Sequence, residues 1–90
     1  MRTKEKGLEF ELKALANKRR LSIIKLLKDK RELTVSEISK SIKLSFKSTS
    51  KHLAVLKSAD IVEYEQRGLL YFYKLNFPLP DSVRVILSIM

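Results

Sequence analysis

The sequence predicts a mainly helical α+β domain in which four helices precede a β-hairpin and a fifth helix follows it. Two observations support this fold class. Apolar residues recur at steps of three and four along most of the chain, which is the spacing of one helix face, whereas residues 61–75 are rich in β-branched and aromatic types. The 90 residues suit one compact domain and leave little room for a second, so we expect a single domain over residues 1–90.

Two helices are predicted before residue 30. The first spans residues 3–15, where Leu8 and Leu12 recur four residues apart on one face. Asn17 then supplies an N-cap for a second helix that runs to about Asp29, because its side-chain oxygen can accept hydrogen bonds from free backbone N–H groups. The second helix carries a broad apolar stripe, which indicates a buried face.

The next two helices are separated by a tight turn. Thr34 and Glu37 have the spacing of a capping box and open a short third helix that ends near Ser41. Ser45 is the cap residue of a fourth helix, which is predicted to run to about residue 58. Two helices joined in this way form a helix-turn-helix.

Residues 61–75 predict a β-hairpin. Strands are expected at Ile61–Glu65 and Leu70–Leu75, because both segments are rich in residues that favour a pleated sheet. The connecting segment Gln66–Leu69 contains Gly68, which suits a turn.

Three motifs follow one another in a characteristic order. They are Leu15-Ala16-Asn17-Lys18-Arg19-Arg20-Leu21, then Leu44-Ser45-Phe46-Lys47-Ser48-Thr49-Ser50-Lys51-His52-Leu53, then Ile61-Val62 leading through Arg67-Gly68 to Tyr71-Phe72-Tyr73-Lys74-Leu75. Together they resemble the ArsR-type winged helix-turn-helix family over nearly the whole chain. The resemblance implies the element order α-α-α-α-β-β-α, a recognition helix at about 45–58, a hairpin wing at about 61–75, and repression of transcription by a homodimer.

The exposed side of the fourth helix carries the candidate DNA-binding residues. Lysine can donate to guanine and serine can address a base edge or a phosphate, and no acidic residue occurs from Ser39 to Ala59. Phe46 stands where the family commonly has a polar residue, and it either meets a thymine methyl group or packs against the turn. Arg67 at the tip of the wing suits a phosphate or minor-groove contact. The predicted DNA-binding residues are Phe46, Lys47, Ser48, Ser50, Lys51, Arg67 and Lys43.

The first and last helices are expected to form a dimer interface. The last helix, over residues 81–90, is apolar almost all the way round and must be covered, and the resemblance implies that helices 3–15 and 81–90 of two subunits pair. A symmetric dimer predicts a pseudo-palindromic site in double-stranded DNA. The alternative is a monomer whose last helix folds onto its own core. The predicted interface residues are Leu8, Leu12, Val83, Ile86, Ile89 and Met90.

The composition of the chain excludes several classes of function. The 19 Lys+Arg residues against 10 Asp+Glu give a net charge of +9, which is typical of a nucleic-acid binder. The absence of cysteine and the single histidine exclude thiolate metal sensing, so we expect no metal, no cofactor and no enzyme activity. The polar start and the lack of a long apolar run predict a cytoplasmic protein that does not bind membranes. Two alternatives remain, an architectural DNA binder with low sequence specificity and a protein-interaction module.

Overall fold

The structure is a computed structural model that describes residues 4–90, so Thr3, the predicted first residue of the first helix, lies outside the described range. The elements within that range confirm a mainly helical α+β fold with five helices. In chain order they are α1 (Lys4–Leu15), α2 (Lys18–Lys30), β1 (Glu32–Thr34), α3 (Val35–Ile42), α4 (Phe46–Ser58), β2 (Val62–Arg67), β3 (Leu70–Leu75) and α5 (Asp81–Ser88).

Three helices begin at the cap residues that the sequence indicates. The Asn17 side chain accepts hydrogen bonds from two backbone N–H groups at the start of α2. Thr34 and Glu37 form the complete capping box of α3, with the Thr34 N–H donating to Glu37 Oε1 at 2.8 Å. These bonds to Thr34 lower the pKa of the Glu37 carboxyl. Ser45 Oγ accepts from the Ser48 N–H at 3.1 Å and starts α4.

The sheet has a third strand that the sequence prediction lacks. Strand β1 pairs antiparallel with β3, and β3 pairs antiparallel with β2, so the order across the sheet is β1-β3-β2. The expected order α-α-α-α-β-β-α is therefore corrected to α-α-β-α-α-β-β-α. With only three residues, β1 is too short to show an alternating pattern, and it exists because β3 offers it a partner.

The hairpin is also longer than predicted. Strand β2 continues through Arg67, which pairs with Leu70, and only Gly68 and Leu69 connect the two strands. Gly68 has a φ of 62°, a value that glycine adopts readily and that two-residue hairpin turns require. The predicted four-residue connection is wrong because Gln66 and Arg67 belong to the ladder. We call β2, β3 and this turn the wing.

One apolar core joins the helices to the base of the wing. Its fully buried side chains come from α2, α3, α4, α5, the start of β2 and the residue just before β2. They include Ile23, Ile24, Leu27, Ile38, Leu53, Leu56, Ile61, Val62 and Val83. On α4 the side chains of Thr49, Leu53 and Leu56 are all buried and face the core. The opposite side of α4 consequently faces away from the core.

Candidate nucleic-acid interface

The recognition helix α4 presents its N-terminal half to solvent. Phe46, Lys47 and Lys51 are exposed, whereas Ser48 and Ser50 are half-buried on the flanks of the helix. Since Thr49 and Leu53 point into the core, the predicted contact residues lie on the outward side of the same helix. The structure therefore brings Phe46, Lys47, Ser48, Ser50 and Lys51 together on one continuous surface.

Lys43 lies in the turn between α3 and α4. It adopts the left-handed conformation, with φ 56° and ψ 51°, and its N–H donates to the Ser39 and Lys40 carbonyls. Leu44 N–H donates to the Ser39 carbonyl at 3.0 Å, which closes the end of α3 and directs the chain into α4. The turn thus places the exposed Lys43 side chain in sequence just before the recognition helix.

The charge of this region has one sign. The five lysines Lys40, Lys43, Lys47, Lys51 and Lys57, which we call the lysine cluster, are all exposed, and residues 39–59 contain no acidic side chain. Lys57 lies over the Tyr64 ring, with 5.3 Å between Nζ and the ring centre. Such a surface attracts a polyanion. In addition, the first turn of α4 lacks the acidic residue that ordinarily stabilises a helix N-terminus.

Phe46 is an exposed aromatic residue at the first position of α4. Its side chain is 57% exposed, so most of the ring is not covered by the helix-turn-helix. Of the two roles considered for it, packing against the turn is disfavoured by this exposure. The ring is available for an apolar contact with a partner.

Arg67 is engaged within the protein. Its guanidinium donates to both carboxylate oxygens of Glu32, each at 2.9 Å, and also pairs with Glu65. It also stacks 4.4 Å from the centre of the Phe72 ring. These bonds, first to Glu32 and then to Glu65, raise the pKa of Arg67. The expectation that Arg67 lies at the wing tip is corrected, because Arg67 lies in β2 and the tip is Gly68 and Leu69, the latter 95% exposed.

Two arginines of α2 connect the helices, a role that the sequence reasoning missed. Arg19 Nη1 donates to the Ile42 carbonyl at the end of α3, at 2.8 Å. Arg20 Nε donates to the Ala14 carbonyl near the end of α1, and its Nη1 lies 3.1 Å from His52 Nδ1 on α4. A cation near a helix C-terminus is favourable, and both side chains use this position. A phosphate contact by either arginine would require these bonds to break.

His52 is held neutral by this arrangement. Arginine has no acceptor atom, so Nδ1 of His52 must accept the hydrogen bond from Arg20. Burial, then the charges of Arg20 and Arg19, lower the pKa of His52. The single histidine is therefore a packed, hydrogen-bonded residue of the recognition helix.

The predicted dimer face is largely exposed in the single chain. Leu8, Leu12, Ile89 and Met90 are 47%, 45%, 76% and 43% exposed on α1 and at the end of α5. Ile86 is half-buried. The two helices are linked by Ser82 Oγ, which donates to Glu11 Oε1 at 2.6 Å.

Val83 differs from the other predicted interface residues. Its side chain is fully buried in its own core, so it has no surface to offer to a second subunit. Val85, two residues further along α5, is 56% exposed.

Residues 17–64, just over half of the chain, match the family described as bacterial regulatory protein, arsR family. The chain belongs to the ArsR family. The transcriptional activator HlyU of Vibrio cholerae is 42% identical over 65 residues, which are 72% of this chain and 59% of HlyU. The transcriptional repressor SdpR of Bacillus subtilis is 32% identical over 77 residues, 84% of each chain. The aligned part of this chain thus spans about three fifths of HlyU.

Two solved structures share the fold. HlyU from Vibrio cholerae N16961 superposes with a TM-score of 0.83 at 32% identity, covering 99% of this chain and 92% of HlyU. A solution structure from Mycobacterium bovis, Mb0332, is described as a homodimeric winged helix-turn-helix DNA-binding domain. It superposes with a TM-score of 0.80 at 30% identity, covering 92% of this chain and 74% of that one. The winged helix-turn-helix prediction is therefore confirmed.

Two features are absent from the described part of this ArsR-family chain. Residues 4–90 contain no group of three or more His, Cys, Asp or Glu side chains placed to hold a metal ion. Among the same residues, no helix is both long and apolar enough to cross a membrane.

Proposed function

We propose that this chain is a homodimeric, sequence-specific DNA-binding regulator that represses transcription by occupying a pseudo-palindromic site. The observation that carries the proposal is the outward side of α4, where the lysine cluster meets hydrogen-bonding serines on a capped, well-packed helix. Membership of the ArsR family and the fold shared with the Mb0332 DNA-binding domain support it. Repression follows from the likeness to SdpR, although the relative HlyU is named an activator.

The N-terminal half of α4 enters the major groove. There Lys47 and Lys51 donate to guanine O6 and N7, and Ser48 and Ser50 reach base edges or phosphates. Each good base contact contributes roughly 1–3 kcal/mol of discrimination. Phe46 meets a thymine methyl group, since its ring is 57% exposed and apolar.

Phosphate contacts position the helix. Lys43 in the turn and Lys40 before it are exposed, so they suit the DNA backbone, and the acidic residue nearest to them is Glu37, three residues before Lys40. If a dimer neutralises about eight phosphates, a plot of the logarithm of the association constant against the logarithm of the salt concentration has a slope of about −7. The wing contributes less, because Arg67 must first leave Glu32 and Glu65.

Dimerisation sets the spacing of the site. The exposed side chains of α1 and of the end of α5, together with Ile86, pack against the same residues of a second copy. Val85 replaces Val83 in this interface, because only Val85 has exposed surface. The two recognition helices then lie about 34 Å apart, one turn of DNA.

The experiment is a comparison of the chain's affinity for its own upstream DNA and for unrelated DNA at two salt concentrations. The proposal predicts preference for the upstream DNA, with weakening on both as salt rises. Placing the upstream site at a reporter promoter tests whether the protein represses or activates transcription. Expression of the reporter is expected to fall when the protein is present. Increased expression would overturn repression while leaving DNA binding in place.

Two other functions make different predictions in the same experiment. An architectural binder, favoured by the lysine-rich and arginine-free surface of α4, would bind both DNAs equally. A protein-interaction module, favoured by the exposed Phe46 and Leu69, would bind neither at moderate salt.

A further inference from the structure

A cavity of about 560 Å³ is lined by none of the candidate DNA-binding residues. It is formed where the C-terminal end of α2 meets the base of β2 and β3 and the segment before α5. Its apolar lining is Leu27, Leu75 and Phe77, and its charged lining is Lys28, Arg31, Lys74 and Glu63. The volume lies within the range of small-molecule sites, about 300–1,000 Å³.

The charged lining has an excess of positive charge. Glu63 is the one acidic lining residue, and it pairs with Lys74 at 3.4 Å. Lys28 Nζ lies 3.5 Å from the Leu87 carbonyl, a neutral group. Within residues 4–90 the guanidinium of Arg31 has neither a hydrogen bond nor an ion pair. One unpaired guanidinium and one ammonium group are thus available to an anion.

The backbone at Arg31 is strained. Its φ of 69° and ψ of −56° lie in a region that residues with a side chain rarely adopt, and such conformations cost about 1–3 kcal/mol. A glycine would adopt this conformation at the end of α2 with little strain. The chain instead holds an arginine there, next to a cavity. Strain of this kind accompanies ligand contacts in other proteins.

Phe77 supplies an apolar surface beside these cations. Its side chain is 73% exposed, although Leu27 and Leu75 next to it in the lining are buried. We propose that the cavity binds a small organic anion with an apolar body, such as an aromatic carboxylate. Arg31 receives the carboxylate in a bidentate pair, assisted by Lys28, and the apolar body packs on the exposed ring of Phe77.

The position of the cavity links such a ligand to the rest of the molecule. Lys74 and Leu75 belong to β3 of the wing, and Lys28 donates to Leu87 of α5. A carboxylate that draws Lys28 away from Leu87 therefore acts on the helix that we assign to the dimer interface. A ligand shifts DNA affinity only if it binds the free and DNA-bound forms differently. This effect rests on the proposed function, whereas binding in the cavity does not.

The test is a two-dimensional NMR titration of the full chain with 2-naphthoate, beside the neutral 2-naphthalenemethanol as control. The expected result is saturable shifts at residues 27–31, 63 and 74–77 with naphthoate alone. Arg31→Gly is expected to weaken binding by about tenfold or more without lowering the melting temperature, since it removes the charge and relieves the strain. Lys30→Ala, which removes a neighbouring cation outside the lining, leaves binding unchanged.

Several results would overturn the proposal. They are the absence of saturable shifts up to about 1 mM, shifts confined to the exposed face of α1, equal binding of the alcohol, or unchanged binding by Arg31→Gly. Should Arg31→Gly fail to fold, Phe77→Ala serves instead, because its exposed ring contributes little to the core, and it must weaken naphthoate binding. DNA affinity with and without naphthoate is measured last. Naphthoate binding without any DNA binding would sustain the cavity proposal and contradict the proposed function.

Discussion

The side chain of Arg20 joins three helices at one point. From α2 it donates to the Ala14 carbonyl of α1 and to His52 Nδ1 of α4. The helix that we assign to dimerisation and the helix that we assign to DNA recognition are thereby held by the same guanidinium. This contact depends on a neutral His52, because a protonated imidazole has no free acceptor.

His52 predicts a loss of stability in mild acid. Its pKa is lowered in the folded state, mainly by burial, so the unfolded chain binds this proton more tightly. The contribution of neutral His52 to the free energy of unfolding is therefore fully present above its ordinary pKa of about 6.5. It is lost as the pH falls below that value toward the lower pKa of His52 in the folded state. Urea unfolding of the wild type and of His52→Gln between about pH 5 and pH 8 measures this. The wild type should lose stability relative to His52→Gln as the pH falls, and parallel curves would contradict the account.

Replacing Thr49 by valine is expected to stabilise the protein. Its side chain is fully buried and its Oγ1 has no hydrogen-bond partner among the described residues. Thr49→Val keeps the branched shape and removes the unsatisfied hydroxyl, so the free energy of unfolding should rise by about 1 kcal/mol. Thr49→Ser, which keeps the hydroxyl and removes a methyl group, should lower it by about 1 kcal/mol. Denaturant unfolding of both variants measures these changes. A clear loss of stability in Thr49→Val would show that the Thr49 hydroxyl group has a hydrogen-bond partner.

Among single residues, the caps were predictable and the long-range partners were not. Asn17, Thr34 and Ser45 act on backbone groups two or three residues away, so local sequence contains the whole signal. Arg19 reaches Ile42 and Arg67 reaches Glu32, 23 and 35 residues away in the chain. Such pairs depend on how the elements pack, which no local pattern encodes.

At the level of elements, the helix-turn-helix depends on the left-handed turn at Lys43. Lys43→Gly suits the φ of 56° while removing one charge of the lysine cluster. Stability should change by less than about 1 kcal/mol, because relief of backbone strain offsets the greater freedom of glycine in the unfolded chain. DNA affinity should fall, with the salt slope smaller by about 0.9 for each lost phosphate contact. A variant with unchanged affinity and slope would remove Lys43 from the interface.

The wing is expected to contribute little to DNA affinity. Because Glu32 and Glu65 already engage Arg67, Arg67→Ala should reduce DNA affinity by less than about threefold, the effect of a weak, exposed charge contact. Lys47→Ala should reduce it by about tenfold, the value of one base contact. Gel-shift titrations of both variants on one DNA measure the difference. A larger loss in Arg67→Ala would mean that the arginine leaves its carboxylates on binding DNA.

The elements differed in how far the sequence determined them. Helices α2, α3 and α4 combine a cap residue with an apolar stripe, and their predicted limits agree with the structure within one or two residues. Strand β1 has no pattern of its own and depends on pairing of Glu32 with Lys74, Leu33 with Tyr73 and Thr34 with Phe72. The turn of the wing was predicted too long, since the polar Gln66 and Arg67 resemble turn residues although they lie in the ladder.

For the whole molecule, the exposed apolar surface of α1 and α5 determines the oligomeric state that we propose. Ile89 is 76% exposed, so Ile89→Glu should leave the fold of the single chain intact while burying a charge in the dimer interface. Sedimentation analysis should show a shift toward monomers, with weaker DNA binding. Leu69→Glu, at the wing tip, where the side chain is even more exposed, is the matched control and should remain dimeric. A wild type that sediments as a monomer would contradict the dimer.

The sequence predicted which side of the molecule carries the lysine cluster. It did not predict which side chains of the dimer face are exposed. Residues 39–59 have no acidic side chain, and this is readable without a structure. Val83 and Val85 are both apolar and two positions apart on α5, yet one is fully buried and the other 56% exposed. Helical periodicity alone did not separate them, because the apolar residues at positions 83, 85, 86 and 87 spread over more than one face of α5.

The central claim is that the outward side of α4 holds DNA, and one measurement tests it most directly. The affinity of the Lys47→Ala, Lys51→Ala double variant for the upstream DNA is compared at one salt concentration with that of the wild type and of a Lys4→Ala, Lys30→Ala control. The control removes the same charge from exposed positions on α1 and α2. The account predicts a loss of about 100-fold for the double variant, from two base contacts, and little change for the control. Equal affinities of the two variants would contradict it and leave only a non-specific attraction of the basic surface.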